Sequence, residues 1–263
     1  MPEYTDHFGP EGLRTRGTVV VVPGRGETRT AYDRFGRRLA SDAYRVRVIN
    51  APDIDADDLP GSLARFRTRL AAALDGTATD DGIVRPFVVV GADSGAAAVA
   101  ALLGRDAGPG SSRPDAVVLA GLPGDGAAAA GTWDQELDVR TFCPAHRAAL
   151  TEDSEVRRGS LGDAVPEALL AAAYGLDEDG GIHPDVDVPT LILVGDEDPL
   201  ADRAALARTA KSRSRARLSV VRGGRHDVLN DLQHRSVAAE VVTFLETLRN
   251  ELTPVIAVES SAW

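Results

Sequence analysis

The stretch that most restricts what this chain can become runs from Phe87 to Ala98. Four apolar residues, Phe87 to Val90, follow one another without a polar break, as in a strand of a parallel sheet covered on both faces. Small residues then bracket one polar position, in the order Gly91, Ala92, Asp93, Ser94, Gly95, and an Ala-rich helical pattern follows. A strand that turns this abruptly into a helix holds one side chain out at the top of its sheet, and flanking glycines remove the Cβ clashes of so tight a turn. The residue at the tip is Asp93.

Around it the chain alternates strand and helix patterns. Strands are predicted at Thr18–Val22, Arg45–Ile49, Phe87–Val90, Ala116–Ala120, Thr190–Val194 and Leu218–Val221. Helices are predicted at Tyr32–Ala40, Leu63–Leu74, after Asp93 to about Leu103, Arg203–Ala210 and Val237–Leu248. In the helix ending at Leu74, Leu63, Phe66, Leu70 and Leu74 repeat at helical spacing. Such βαβ rhythm implies an α/β fold with a mostly parallel, doubly wound sheet, whose ligands bind at the C-terminal strand ends. The loops Pro23–Glu27, Gly91–Gly95 and Gly121–Asp125 belong to that edge.

Residues 125–188 break the rhythm. They carry helical candidates at Arg147–Ala149 and Pro166–Tyr174 but no convincing strand, and are read as a small helical lid inserted before the penultimate strand. The domain expectation is a core of residues 1–124 and 189–252, the lid of 125–188, and a tail of 253–263. Residues 1–17 leave room for a short edge strand without clear periodicity. In the tail, Val255–Val258 fits an edge strand, a partner contact or an unstructured end.

With 263 residues, 43% of them hydrophobic, the chain can bury one sizeable core. A formal net charge of −11 argues against nucleic acid or an anionic membrane as partner. Cys143 is the single cysteine, so no internal disulfide forms and a reducing compartment fits. No secretory pattern opens the sequence and no apolar run spans a bilayer, which makes a cytoplasmic protein the expectation.

Four loops collect chemistry-bearing residues in chain order: Pro23-Gly24-Arg25-Gly26-Glu27, then Gly91-Ala92-Asp93-Ser94-Gly95, then Gly195-Asp196-Glu197-Asp198-Pro199, then Gly224-Arg225-His226-Asp227 continuing to Asn230-Asp231. The order nucleophile, acid, histidine and these motifs resemble the α/β-hydrolase superfamily, over roughly residues 16 to 250. Within it the chain is similar to the monoacylglycerol lipase and lysophospholipase branch, which carries HG-x-GE, G-x-S-x-G, P-x-L-x-x-x-G-x-x-D-P and G-x-HE-x-x-NE at these places. Two departures stand out. Pro23 replaces the branch's histidine, and Asp93 replaces the nucleophilic serine.

The second departure changes the chemistry. A carboxylate attacking an ester carbonyl would give a high-energy mixed anhydride, whereas attack on an sp³ carbon gives an ordinary ester that water can cleave. Asp-His-Asp members of the superfamily, the epoxide hydrolases and haloalkane dehalogenases, work in that way. The resemblance implies Asp93 as nucleophile, His226 as base on water, Asp198 as the acid that orients the imidazole, and the backbone N–H groups of Arg25 and Ser94 as the oxyanion hole. Those relatives usually place Trp after the nucleophile and, in epoxide hydrolases, two tyrosines in the lid. Here Ser94 follows, and Tyr174 and Trp133 are the lid's candidate donors. Hydrolysis of a small organic molecule is therefore the leading reading. A cofactor-free acid/base reaction by Asp93 and His226 (lyase, isomerase or cyclase) is the second, and a ligand-binding protein without turnover the third.

Further binding candidates are Gly24, Arg140, His146, Trp133 and Tyr174, while Arg25 also offers a guanidinium to a substrate carboxylate. Arg140, Cys143 and His146 recur at three-residue spacing, as on one helix face, although Pro144 opposes a continuous helix. Two soft ligands do not make a metal set, and Gly24–Gly26 lacks the Lys-Ser/Thr of a phosphate loop, so neither metal nor cofactor is expected. Asp53 and Asp125 fit solvated loops equally well. The substrate, the stereochemistry and the oligomeric state are open at this level.

Overall fold

A computed structural model describes residues 3–79, 82–104, 113–125, 131–176 and 187–259. Seven strands form one sheet: β1 (Tyr4–His7), β2 (Thr18–Val22), β3 (Arg45–Ile49), β4 (Phe87–Ala92), β5 (Ala116–Ala120), β6 (Thr190–Gly195) and β7 (Ala216–Val221). Their spatial order is β1-β3-β2-β4-β5-β6-β7. All neighbours are parallel except β1, which lies antiparallel to β3 with Tyr4 opposite Ile49 and His7 opposite Val46.

Eight α-helices accompany these strands among the described residues: α1 (Asp33–Ser41), α2 (Leu59–Asp75), α3 (Asp93–Leu103), α4 (Trp133–Arg140), α5 (Pro144–Glu152), α6 (Glu167–Tyr174), α7 (Arg203–Ser212) and α8 (His234–Arg249). Successive strand residues serve opposite faces. Val20, Val22, Val89, Leu119 and Ile192 join the core with α2, α3 and α6, while Val19, Val21, Val88, Val118 and Leu191 join the one with α1 and α8. This explains why the strands read as unbroken apolar runs: both faces are covered.

Local chemistry fixes the helix starts. Asp58 caps α2 by accepting from the Gly61 N–H at 3.0 Å, with Pro60 in its first turn. Thr132 and Gln135 form a capping box on α4. Pro144 opens α5 after α4 has ended at Arg140, so Arg140 and His146 sit on separate helices rather than on one face.

At two segments the sequence leaves alternatives between which the structure decides. β1 is a regular edge strand although its residues are polar. Asp6 on it receives the Arg47 guanidinium from β3, Nε at 2.7 Å, and Arg47 is otherwise fully buried. The tail forms no edge strand at Val255–Val258: these residues are exposed bends, and residues 260–263 lie outside the described residues. Among the described residues no helix is long and apolar enough to cross a membrane.

The topology also locates the crevice. From β2 the chain passes to β3 on one side, and later enters β4 on the other. The C-terminal ends of β2 and β4 are thus adjacent at a switch of direction, where open α/β sheets bind ligands. The loop 23–27 and Asp93 leave the sheet at this point.

Candidate active site

Asp93 follows the last residue of β4 directly and begins α3 without an intervening loop, at φ +47. A non-glycine residue in the left-handed region carries strain, which persists where the surroundings enforce it. They do so here through Gly95, which packs directly beneath β2: a Cβ on it would come 2.4 Å from the Pro23 carbonyl oxygen. The close helix–strand approach demands glycine there and leaves the Asp93 side chain directed at the loop after β2.

His226 and Asp198 reach the same point from the ends of β7 and β6. His226 Nδ1 lies 3.0 Å from Asp198 Oδ2 and 3.1 Å from Oδ1. Asp198 Oδ1 also accepts the Leu200 N–H at 2.9 Å, which fixes the carboxylate. On the other side of the ring, Nε2 lies 3.1 Å from Asp93 Oδ1. With the imidazole charged, this contact is an ion pair between the ring and the Asp93 carboxylate.

Arg25 closes the set. Its backbone N–H donates to Asp93 Oδ2 at 2.8 Å. Its side chain grips the same carboxylate, Nε donating to Oδ2 at 2.9 Å and Nη2 to Oδ1 at 2.8 Å. Gly24 lies alongside, where a Cβ would come 2.8 Å from that of Asp93. Of the two amides expected to face a developing oxyanion, only that of Arg25 bonds Asp93; Ser94 makes no such bond.

The electrostatics follow from this packing. Burial alone would raise the Asp93 pKa, but His226 and Arg25 outweigh it and hold the carboxyl well below the usual range. Burial alone would lower His226, but the Asp198 and Asp93 carboxylates overcome it and raise the imidazole to about 10. At neutral pH the four side chains form a closed, charge-balanced set: two carboxylates, a guanidinium and an imidazolium.

A second buried network props the Arg25 loop. Arg140, fully buried, donates from Nη2 to the Arg25 carbonyl oxygen at 2.9 Å and to Ser160 Oγ at 3.0 Å, and from Nε to Glu136 Oε1 at 3.1 Å. His146 Nε2 meets Asp227 Oδ2 at 3.0 Å, and Tyr32 donates its hydroxyl to Glu27. Burial first, then the neighbouring Asp227, raises the Glu27 pKa. Glu27, His146 and Asp227 bring one donor atom each within 4.8 Å of the others, the spacing of a cation site. The Arg140 guanidinium, 3.5 Å from Asp227, already supplies a positive charge there. The arrangement reads as an ion network rather than a coordination shell.

Several binding candidates therefore stand away from Asp93. Arg140 and His146 are structural ties within this network. Trp133 Nε1 donates to Thr151 at 3.2 Å and its ring lies under Arg158, among the helices between β5 and β6. Tyr174 donates to the Pro123 carbonyl oxygen at 3.1 Å and borders a separate pocket of about 180 Å³ with Asp125 and Asp202. The cleft beside the site, about 600 Å³, is lined by Arg25, Ser94, Asp53, Ile54, Val165 and Leu169 among others. Asp93 and His226 do not line it, because Arg25 stands between them and the cleft. A larger depression of about 900 Å³ lies at the opposite, N-terminal edge of the sheet, remote from these side chains. Sequence reasoning missed Glu27, Asp227, Glu136 and Ser160. The first two sit inside the motifs themselves; the other two carried no signal.

Comparison with known proteins agrees with this fold. Residues 94–233 match the family model described as serine aminopeptidase, S33. A soluble variant of monoglyceride lipase from Saccharomyces cerevisiae is similar in structure, with a TM-score of 0.69 at 14% identity, covering 93% of this chain and 91% of that one. A monoacylglycerol lipase from Paleococcus ferrophilus gives a TM-score of 0.65 at 15% identity over 93% and 98% of the two chains. An enol-lactonase from Burkholderia xenovorans gives 0.61 at 16% identity over 92% and 95%. No match to a curated protein was found. With the family model spanning more than half of the sequence and the seven-stranded sheet in place, the chain belongs to the serine aminopeptidase S33 family of α/β-hydrolase-fold enzymes.

Proposed function

We propose that this enzyme hydrolyses a small organic molecule by covalent catalysis, with the Asp93 carboxylate attacking an sp³ carbon that bears a leaving group. The observation that carries the reading is the division of the two Asp93 oxygens. Oδ2 rests on the Arg25 N–H, where an oxyanion would be held, and Oδ1 faces His226 Nε2 at 3.1 Å. Asp198 anchors the far side of the imidazole. In this scheme Gly24 leaves room for the elbow, residues 125–188 act as the lid, and no cofactor takes part.

The ionisation states favour this reading over simple acid/base chemistry. A carboxylate held well below its usual range is a poor proton acceptor but stays ionised, the form a nucleophile needs once Arg25 yields to the substrate. An imidazole raised to about 10 is charged at neutral pH and cannot serve as a base in the resting enzyme. Alkylation of Asp93 changes this. It removes one of the two anions facing the ring, so the His226 proton is held less tightly and the imidazole can act as the base when water must be activated. The grip of Arg25 on Asp93 speaks for the ligand-binding reading, in which the carboxylate is permanently covered.

The test is a His226→Gln variant incubated with a panel of haloalkanes, alkyl sulfates and epoxides. The expected result is an alkyl ester on Asp93, located by peptide mass spectrometry, and loss of turnover by at least about a thousandfold in Asp93→Asn. Turnover by the wild type with Asp93 unmodified in His226→Gln overturns the covalent reading. Saturable binding with neither turnover nor adduct assigns the chain to ligand binding.

A further inference from the structure

The guanidinium of Arg25 is the one buried cation between the reacting carboxylate and the cleft, and its role follows from charge balance. We propose that Arg25 receives the leaving group: as Asp93 is alkylated, Arg25 transfers its ion pair from Asp93 to the departing anion. The substrate then carries a group that leaves as an anion stable without a proton, a halide or a sulfate. This inference rests on the covalent reading above and narrows its substrate class.

Three observations support it. First, Arg25 is only 8% exposed, yet it lines the cleft. Second, a guanidinium carries five N–H donors. Nε and Nη2 each engage Asp93, and Nη1 donates to the Asp163 carbonyl oxygen at 2.5 Å. Two donors remain without a partner among the described residues. Third, the cleft offers little else. Its other cation, Arg157, is exposed and paired with Asp163 at 2.7 Å, and among the described residues the only neutral side-chain donor in the lining is Ser94. The tryptophan that dehalogenases of this fold place after the nucleophile has no counterpart here.

The steps balance. An Oδ1 lone pair forms the O–C bond, and the C–X bond breaks with its electron pair going to X⁻. The negative charge leaves Asp93 and reappears on X⁻, while Arg25 stays positive in a site of low dielectric, where such a pairing is strong. His226 then releases its proton to solvent. Water adds to Asp93 Cγ, giving a proton to His226 and placing the oxyanion at the Arg25 N–H. Collapse expels the alkoxide, which takes that proton. The remaining carboxylic acid proton passes to His226 and restores the resting ion pair. The sum is R–X and water to R–OH, X⁻ and one proton.

The test needs no substrate. Asp93→Asn frees the guanidinium, so that variant is expected to bind bromide about tenfold tighter than the wild type, read by calorimetric titration at constant ionic strength. Asp93→Asn with Arg25→Gln is expected to lose this binding, and Asp93→Asn with Arg25→Lys to keep it in weakened form. Circular dichroism establishes that each variant is folded. A folded Asp93→Asn protein that binds bromide no better than wild type, or a double variant with Arg25→Gln that binds it equally well, overturns the assignment. Either outcome leaves Asp93 alkylation untouched, because the His226→Gln adduct tests that separately.

Discussion

The charge state of His226 makes stability itself a readout of the site. The folded imidazole lies near 10 against an ordinary 6.5, because the Asp198 and Asp93 carboxylates outweigh its burial. Below pH 6.5 both folded and unfolded chains hold the proton, and the stabilisation is complete. Between that value and 10 only the folded chain holds it, and as pH rises through 10 the advantage disappears. One proton bound by the folded and not the unfolded chain makes stability fall by about 1.4 kcal/mol per pH unit. From pH 7 to 10 the loss amounts to about 3 to 4 kcal/mol. Urea unfolding at pH 7, 8.5 and 10 measures it. The window is cleanest from pH 7 to about 9, since Lys211 is the only lysine, and the buried Tyr32, Tyr44 and Tyr174, raised above their ordinary value of 10, add to the decline only as pH approaches 10. A Cys143→Ser background removes the single thiol. Asp93→Asn takes away one of the two anions, so its decline is expected to shrink to about half or less. Stability that stays flat from pH 7 to 10 in the wild type, or falls equally in Asp93→Asn, refutes the imidazolium between two carboxylates.

Two further substitutions probe how the Arg25 loop is held. Gly26 stands at φ +70, and a Cβ on it would come 2.0 Å from Ser160 Oγ and 2.5 Å from the Arg157 carbonyl oxygen. Gly26→Ala is therefore expected to cost about 1–3 kcal/mol in urea unfolding and to expose residues 157–163 to limited proteolysis; wild-type stability and cleavage would show that this contact is loose. Arg140→Met leaves Glu136, Asp227 and Glu27 without their buried cation and is expected to cost about 3–5 kcal/mol, with partial recovery on adding Glu136→Gln. An unchanged melting temperature in Arg140→Met would remove the network from the account of the site.

The sheet was legible because parallel strands covered on both faces read as unbroken runs such as Val19–Val22 and Phe87–Val90, and glycine-rich turns mark their ends. β1 was less so, since it is held by polar contacts across the strands, Asp6 with Arg47 and Arg45 and the Tyr4 ring with Arg47, which leave no hydrophobic period. Asp93, His226 and Asp198 could be singled out because the elbow and the two strand-end motifs are local in sequence. The position of Arg25 over Asp93 could not, because it depends on where the side chain of a loop residue turns, 68 residues away in sequence. The same limit applied to Arg140, His146 and Trp133: helical spacing places them near the loops but says nothing about which partner their polar atoms find. Arg140 found the Arg25 carbonyl and Glu136, and Trp133 found Thr151.

Asp93 and Arg25 are best understood as one unit. A buried guanidinium without an anion, or a buried carboxylate without a cation, is strongly destabilising, whereas the pair together is tolerated. With a hydroxyl at the elbow, Arg25 would lose its carboxylate partner, and the imidazole would lose one of the two anions that keep it charged. A serine nucleophile also needs the histidine as base at the outset, which an imidazolium cannot provide. An aspartate nucleophile needs no base to attack, so the histidine can be charged in the first half of the reaction and is required as a base only in the second. On the proposed scheme the change between these states is driven by the disappearance of the Asp93 charge. The residue that departs most from the serine pattern is thus the one that makes the ionisation of the whole site consistent with turnover.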